Sequence, residues 1–198
     1  VTQHLVWVGA RDKRSALRAL IDSEDIKNAF IFCNRKTEVA ALARYLLDKG
    51  YRAAPMHGDM VQSARNKVLQ DFKDGAVTIM VCSDVAARGL DVKGVSHVFN
   101  FDVPFNAEDY IHRIGRTGRA GLTGRAWTLA APDDLILVQA IEKMAARALP
   151  VFHHERFSIA PPREEDGDAP VTAARKKSSG RSHEPRSEKK KKSKAPVK

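Results

Sequence analysis

Short apolar runs alternate with longer amphipathic stretches along the first 155 residues of the chain. The short runs are rich in β-branched and aromatic residues, which is typical of buried strands. They predict six strands, at Leu5–Val8, Ala29–Cys33, Ala53–Met56, Thr78–Cys82, His97–Asn100 and Ala126–Leu129. Because strands and helical stretches follow each other in turn, the pattern predicts an α/β fold, a doubly wound parallel sheet flanked by helices.

The intervening stretches predict helices. The most regular is Thr37–Lys49, in which the apolar residues share one helical face, Thr37 is a candidate N-cap and Gly50 follows the end. Further helices are predicted from apolar positions at helical spacing, starting near Val61, Asn106 and Pro132.

The charge of the chain is concentrated at its C-terminal end. Lys and Arg outnumber Asp and Glu by 34 to 24, and residues 161–198 hold 12 of the basic and 6 of the acidic residues, hence +6 of the net +10. Such a segment cannot bury enough apolar area to become ordered alone. We therefore predict one domain over residues 1–155 and a disordered basic tail over residues 156–198. The tail suits RNA or a ribonucleoprotein partner, and a solvated charge run without a partner is the alternative.

Several classes of site are not expected. Cys33 and Cys82 lie in apolar runs without a CxxC pair, which predicts reduced, buried thiols. The seven histidines show no metal-ligand spacing, so no structural metal is predicted. No apolar run of about 18 residues is present, and we expect a cytoplasmic protein that does not contact a membrane.

The string YIHRIGRTGRAG at Tyr110–Gly121 places Arg116 and Arg119 three positions apart among glycines. Guanidinium groups stabilise the charge of a phosphoryl group in transfer, and glycines allow close approach of the backbone. The pattern fits a pair of catalytic arginine fingers and, equally, a basic helix end followed by a turn; the family resemblance of the whole string favours the arginine fingers. HRIGRTGR resembles the sixth signature motif of DEAD-box RNA helicases of superfamily 2, and this resemblance covers nearly all of residues 1–155. It implies a RecA-like second motor domain in which His112 links the nucleotide site to RNA, although a buried core histidine is the alternative.

A second string, SDVAARGLD at Ser83–Asp91, resembles the fifth motif of the same family, with serine where threonine is commoner. The resemblance implies that Ser83 and the adjacent Asp84 contact an RNA phosphate. It also implies that Asp91 binds the ribose of the nucleotide, with Arg88 and Gly89 beside it at the interdomain nucleotide site.

The string MHGDMVQSAR resembles the HGD and QxxR elements of the family. A strand, a glycine turn and a helix N-terminus form a phosphate cradle, to which an arginine adds charge. We predict that Gly58, Asp59 and Arg65 contact the RNA backbone and that Gln62 orients them. A capped surface helix with a solvated arginine is the alternative.

AFIFCNRKT at Ala29–Thr37 resembles the fourth motif less closely, because Asn34 and Arg35 depart from the commoner ending. The resemblance implies RNA contacts by Arg35, Lys36 or Thr37.

The chain contains neither a G-x-x-x-x-G-K-[ST] loop nor a DEAD box. The resemblance therefore implies that ATP and Mg²⁺ are held mainly by a missing N-terminal RecA-like domain, the partner of this chain. Together with a start at Val1, this leads us to expect a helicase fragment that is inactive alone. The second domain of a DNA-directed superfamily 2 motor and a stand-alone RNA-binding adaptor are the alternatives.

Overall fold

The computed structural model describes residues 1–92, 94–119 and 123–162. A six-stranded, wholly parallel sheet has the order β1-β6-β5-β2-β4-β3. Its strands are β1 (Thr2–Trp7), β2 (Ala29–Phe32), β3 (Ala53–Met56), β4 (Ile79–Cys82), β5 (His97–Asn100) and β6 (Arg125–Ala130). The predicted fold class is confirmed, and all six predicted strands are present with ends that differ by a few residues at most.

Helices connect the strands. They are α1 (Lys13–Ser23), α2 (Lys36–Asp48), α3 (Gln62–Lys73), α4 (Asp84–Ala87), α5 (Ala107–Ile114) and α6 (Leu135–Ala145), the last preceded by a 3₁₀ turn at Pro132–Asp134. Asn106 caps α5 by accepting a hydrogen bond from the Glu108 amide at 3.0 Å. The predicted cap of α2 is wrong, because Arg35 is its N-cap residue and Thr37 lies inside the first turn.

The sheet is covered on both faces. In the central strand β2 all four side chains are buried, with Phe30 and Phe32 in one apolar layer and Ala29 and Ile31 in the other. Helices α1 and α2 contribute to the second layer, and α3, α5 and α6 contribute to the first. Burial on both faces explains why β2, β4 and β5 appear in the sequence as continuous apolar runs rather than alternating ones.

The chain after α6 returns along the edge strand β1. The Phe152 amide donates to Leu5 O at 2.7 Å, and the Ile159 amide donates to Trp7 O at 2.8 Å. The packed region therefore continues beyond residue 155, where the sequence predicted its end, because this segment pairs with an otherwise open sheet edge. The basic residues from 163 onward, including most of the predicted tail, lie outside the described residues.

Cys33 and Cys82 are free thiols in the interior of the sheet, as predicted. Burial raises the pKa of both thiols. The described residues include no helix long and apolar enough to cross a bilayer. Nor do they bring together three His, Cys, Asp or Glu side chains that could hold a metal ion.

Candidate functional site

Most residues that the sequence motifs assign to RNA lie at the carboxyl edge of the sheet. Strands β2, β4 and β3 are neighbours and run in parallel, so the segments that follow them emerge side by side. These segments contain the pairs Arg35–Lys36, Ser83–Asp84 and Gly58–Asp59. A crevice at the carboxyl ends of parallel strands is where α/β sheets bind ligands. Helix α5 follows β5, the other neighbour of β2, and leads back to the turn of Arg116 and Arg119, which lies beside Val95, before the start of β5.

Arg116 and Arg119 carry positive charge that is not balanced locally. No carboxylate within the described ranges forms an ion pair with either guanidinium. Arg119 donates from Nε to Gly115 O at 2.6 Å, a neutral acceptor. Partial burial lowers the pKa of Arg116, and the charge of Arg119 lowers it further. Two neighbouring cations, one partly desolvated, form a site that an anion would stabilise.

The turn that carries these arginines is held by a buried threonine. Thr117 is 2% exposed, and its hydroxyl lies 2.5 Å from Val95 O and 3.0 Å from Ser96 O. The Val95 amide donates to Arg116 O at 2.9 Å. On the other side, a Cβ added to Gly124 would lie 2.3 Å from the Gly118 amide nitrogen, so the two glycines pack backbone to backbone. The position of the arginine pair is therefore fixed from both sides.

A carboxylate that the sequence analysis did not single out joins two predicted residues. Asp109 Oδ1 accepts a hydrogen bond from Arg88 at 2.5 Å and lies 3.9 Å from His112 Nδ1. The His112 side chain is 68% exposed, so it is not the core histidine that was the alternative reading. Asp109 lies one helical turn before His112, which was the sequence signal that could have revealed this contact.

The predicted ribose ligand Asp91 lies beside a cavity of about 400 Å³. Its side chain is 96% exposed and accepts a hydrogen bond from Lys73 at 3.2 Å. Gly89, two positions earlier, has φ of 81°, a conformation that most side chains disfavour. The chain thus turns sharply between Arg88 and Asp91.

On the predicted RNA side, Lys36 Nζ lies 2.7 Å from Asp59 Oδ2, and this bond lowers the pKa of Asp59. Arg35 and Arg65 form no ion pair with any described residue and remain available to an anion. Gln62 donates to Asn66 Oδ1 at 2.8 Å, so the structure does not show it orienting its predicted neighbours.

The segment after β4 contains Ser83, which is half-buried, and Asp84, the first residue of α4. The Asp84 carboxylate accepts two hydrogen bonds from Arg113, each of 2.7 Å. It is therefore turned toward the protein and not toward solvent.

Comparison with known proteins defines the class of this fold and site. The family of the helicase conserved C-terminal domain matches residues 12–121, and the chain belongs to that family.

The more specific likeness is to DEAD-box proteins. The chain is 44% identical over 149 residues to the DEAD-box ATP-dependent RNA helicase CshA of Bacillus subtilis, which covers 75% of this chain and 30% of that protein. It is 38% identical over 159 residues to the ATP-dependent RNA helicase RhlB of Vibrio vulnificus, covering 80% and 37% of the two chains. The crystal structure of the E. coli DEAD-box protein SrmB matches with a TM-score of 0.77 and 30% identity, over 83% of this chain and 98% of that one. The chain is therefore the C-terminal domain of a DEAD-box helicase. It spans about a third of the length of the curated relatives that it matches.

Proposed function

We propose that this chain is the second motor domain of an ATP-dependent RNA helicase and that it supplies Arg116 and Arg119 to the phosphates of ATP. The observation that carries the proposal is the unbalanced pair of guanidinium groups, one of them partly buried, on a turn fixed by Thr117. An anion between the chain and a second domain would offset the burial and the repulsion by Arg119 that together lower the pKa of Arg116. The names of the relatives, which are ATP-dependent RNA helicases, support ATP as the source of that anion.

In this mechanism the chain contributes charge and position to a site shared with a first motor domain. On closure of the cleft, Arg116 and Arg119 would donate to the γ-phosphate and stabilise the charge that develops during its transfer. One such arginine contributes a factor of about 10³–10⁵ in rate. Asp91 would exchange Lys73 for the ribose hydroxyls, and Arg88 and His112, joined through Asp109, would line the same cleft. The Mg²⁺ that neutralises the phosphates when bound is assigned to the first domain.

RNA would lie across the ends of β2, β3 and β4. The amino ends of α2 and α3 present free amide groups there, and Arg35, Lys36 and Arg65 add positive charge. With Gly58, Asp59 and Ser83, these groups fit phosphate and sugar, which would make binding independent of sequence. A strand bent by the closed cleft would separate locally from its complement.

The arginine pair can be tested in the full-length protein that contains this chain. We expect Arg116→Ala and Arg119→Ala each to lower RNA-stimulated ATP hydrolysis by a factor of about 10³–10⁵ while binding of single-stranded RNA persists. Arg44→Ala is the matched control, since Arg44 is an exposed arginine of α2 paired with Asp48. Hydrolysis by this chain alone, or full activity of both variants, would contradict the proposal. Stimulation by DNA as strong as by RNA would favour a DNA-directed motor.

The basic C-terminal segment is proposed to add affinity for RNA through its net charge of +6. Deletion of residues 161–198 is expected to weaken RNA binding and to flatten its dependence on salt concentration, because fewer counterions are released. An unchanged slope of log affinity against log salt would exclude this role.

A further inference from the structure

We infer that Arg113 is a positioning residue that joins the two RNA-facing segments after β2 and β4 to the helix that leads to the arginine pair. Arg113 lies in the string HRIGRTGR but had no role in the sequence analysis. The inference rests on the proposed function, since it concerns how binding of RNA changes the position of Arg116.

Every nitrogen of the Arg113 guanidinium is used inside the protein. The residue is 1% exposed, and Nε and Nη2 donate to the two oxygens of Asp84, each at 2.7 Å. Nη2 also donates to Asn34 Oδ1 at 2.8 Å, and Nη1 donates to Asp102 O at 2.7 Å and more weakly to Asn100 Oδ1 at 3.4 Å. The planar fork of arginine satisfies this geometry, and lysine cannot reproduce it.

The partners of Arg113 belong to segments that are distant in sequence. Asn34 is 79 residues away and Asp84 is 29 residues away. Asn34 directly precedes Arg35, and Asp84 directly follows Ser83, so both partners neighbour a proposed RNA contact. Arg116 follows Arg113 by nearly one helical turn, so a shift of either segment would move the fork and with it the end of α5.

Stability alone is a poor explanation for this arrangement. Burial of a charge costs free energy that an ion pair recovers only in part, and well-packed apolar side chains are often equally stable or more so. The Arg113 guanidinium also lies 5.2 Å from the Phe32 ring, in surroundings where an apolar side chain could pack. The fork adds directional links between three segments, which an apolar side chain would not provide.

The test uses the full-length protein with Arg113→Lys, Asp84→Asn and the double variant. We expect the ratio of RNA-stimulated to RNA-free kcat to fall about tenfold in each, with RNA affinity and the KM for ATP little changed. Because both substitutions break one connection, the double variant should lose little more than either single variant. A purely structural role would instead lower the melting temperature and all activities together.

Arg44→Lys is the control, since Arg44 forms an ion pair of 2.9 Å with Asp48 on the exposed face of α2 and contacts none of these segments. It should leave the stimulation ratio unchanged. If Arg113→Lys does not fold, Asn34→Ala removes one arm of the fork at a half-buried position and should lower the same ratio.

The outcomes separate this inference from the proposed function. One result is that RNA stimulates the wild-type protein and that the stimulation is lost in Arg116→Ala but kept in the Arg113 and Asp84 variants. That result overturns the inference and leaves the proposed function standing. A wild-type protein without RNA-stimulated hydrolysis overturns both. Additive losses in the double variant also overturn the inference, because they would show that the two side chains act separately.

Discussion

Thr117 provides a sharp test of how the arginine turn is held. Thr117→Val keeps the shape of the side chain but removes the hydroxyl that lies 2.5 Å from Val95 O and 3.0 Å from Ser96 O. Ser96 O retains a second donor, the Arg125 amide at 3.2 Å. The substitution therefore removes the hydroxyl donor from the carbonyl of Val95, a residue that is 4% exposed.

An unsatisfied buried acceptor costs about 1–3 kcal/mol. For a domain of this size each kcal/mol lowers the melting temperature by about 2–4 °C. Thermal and urea unfolding of this chain should show that loss for Thr117→Val. Thr117→Ser is the control, because it keeps the hydroxyl and removes only a methyl group.

In the full-length protein, Thr117→Val should also lower RNA-stimulated hydrolysis more than Thr117→Ser does, since the turn next to Arg116 loosens. If the valine variant were as stable and as active as the serine variant, the hydroxyl would not anchor the turn and the reasoning would be wrong.

Three further predictions concern other described residues. Gly124→Ala should reduce RNA-stimulated hydrolysis, because its Cβ would meet the Gly118 amide nitrogen at 2.3 Å and displace the turn; wild-type rates would contradict this. Burial lowers the pKa of His4 from 6.5, so the unfolded chain binds the proton first and stability should fall as the pH drops below about 6.5. His4→Gln should flatten that pH dependence in urea unfolding, and an unchanged slope would refute it. Cys33 and Cys82 should resist a thiol-specific disulfide reagent until the protein unfolds, and rapid reaction of the native protein would show that they are accessible.

The elements of this fold were largely predictable because burial on both faces makes strands short and wholly apolar. Helix α1 was missed although Ala16, Leu17, Leu20 and Ile21 recur at helical spacing. Its start lacks a readable signal, since Asp12 precedes it without a side-chain capping bond. The return of residues 151–159 along β1 was not predictable, because pairing with a sheet edge depends on which strand is left at that edge.

The sequence identified most residues of the candidate site, but it did not predict which of them contact one another. Ion pairs such as Lys36–Asp59 and Lys73–Asp91 join different elements, and their formation depends on the order of strands in the sheet. Reading charged residues as exposed also fails where a charge is fully paired, as it is for Arg113. That residue lies between two predicted ones, yet its burial follows only from the three-dimensional arrangement.

Strand order explains why an arginine is buried at this point. β4 and β5 are consecutive in the chain, yet in the sheet they lie on opposite sides of β2. From β2 the chain leads to β3 on one side, and from β5 it leads to β6 on the other, so a crevice opens between the carboxyl ends of β2 and β5. Arg113 fills that crevice from α5 and meets Asp84 after β4 and Asn34 after β2. An apolar side chain would fill the same volume but leave both partners without a donor. For this reason we expect substitutions of Arg113 to affect communication between the RNA-facing segments and Arg116 beyond their effect on stability.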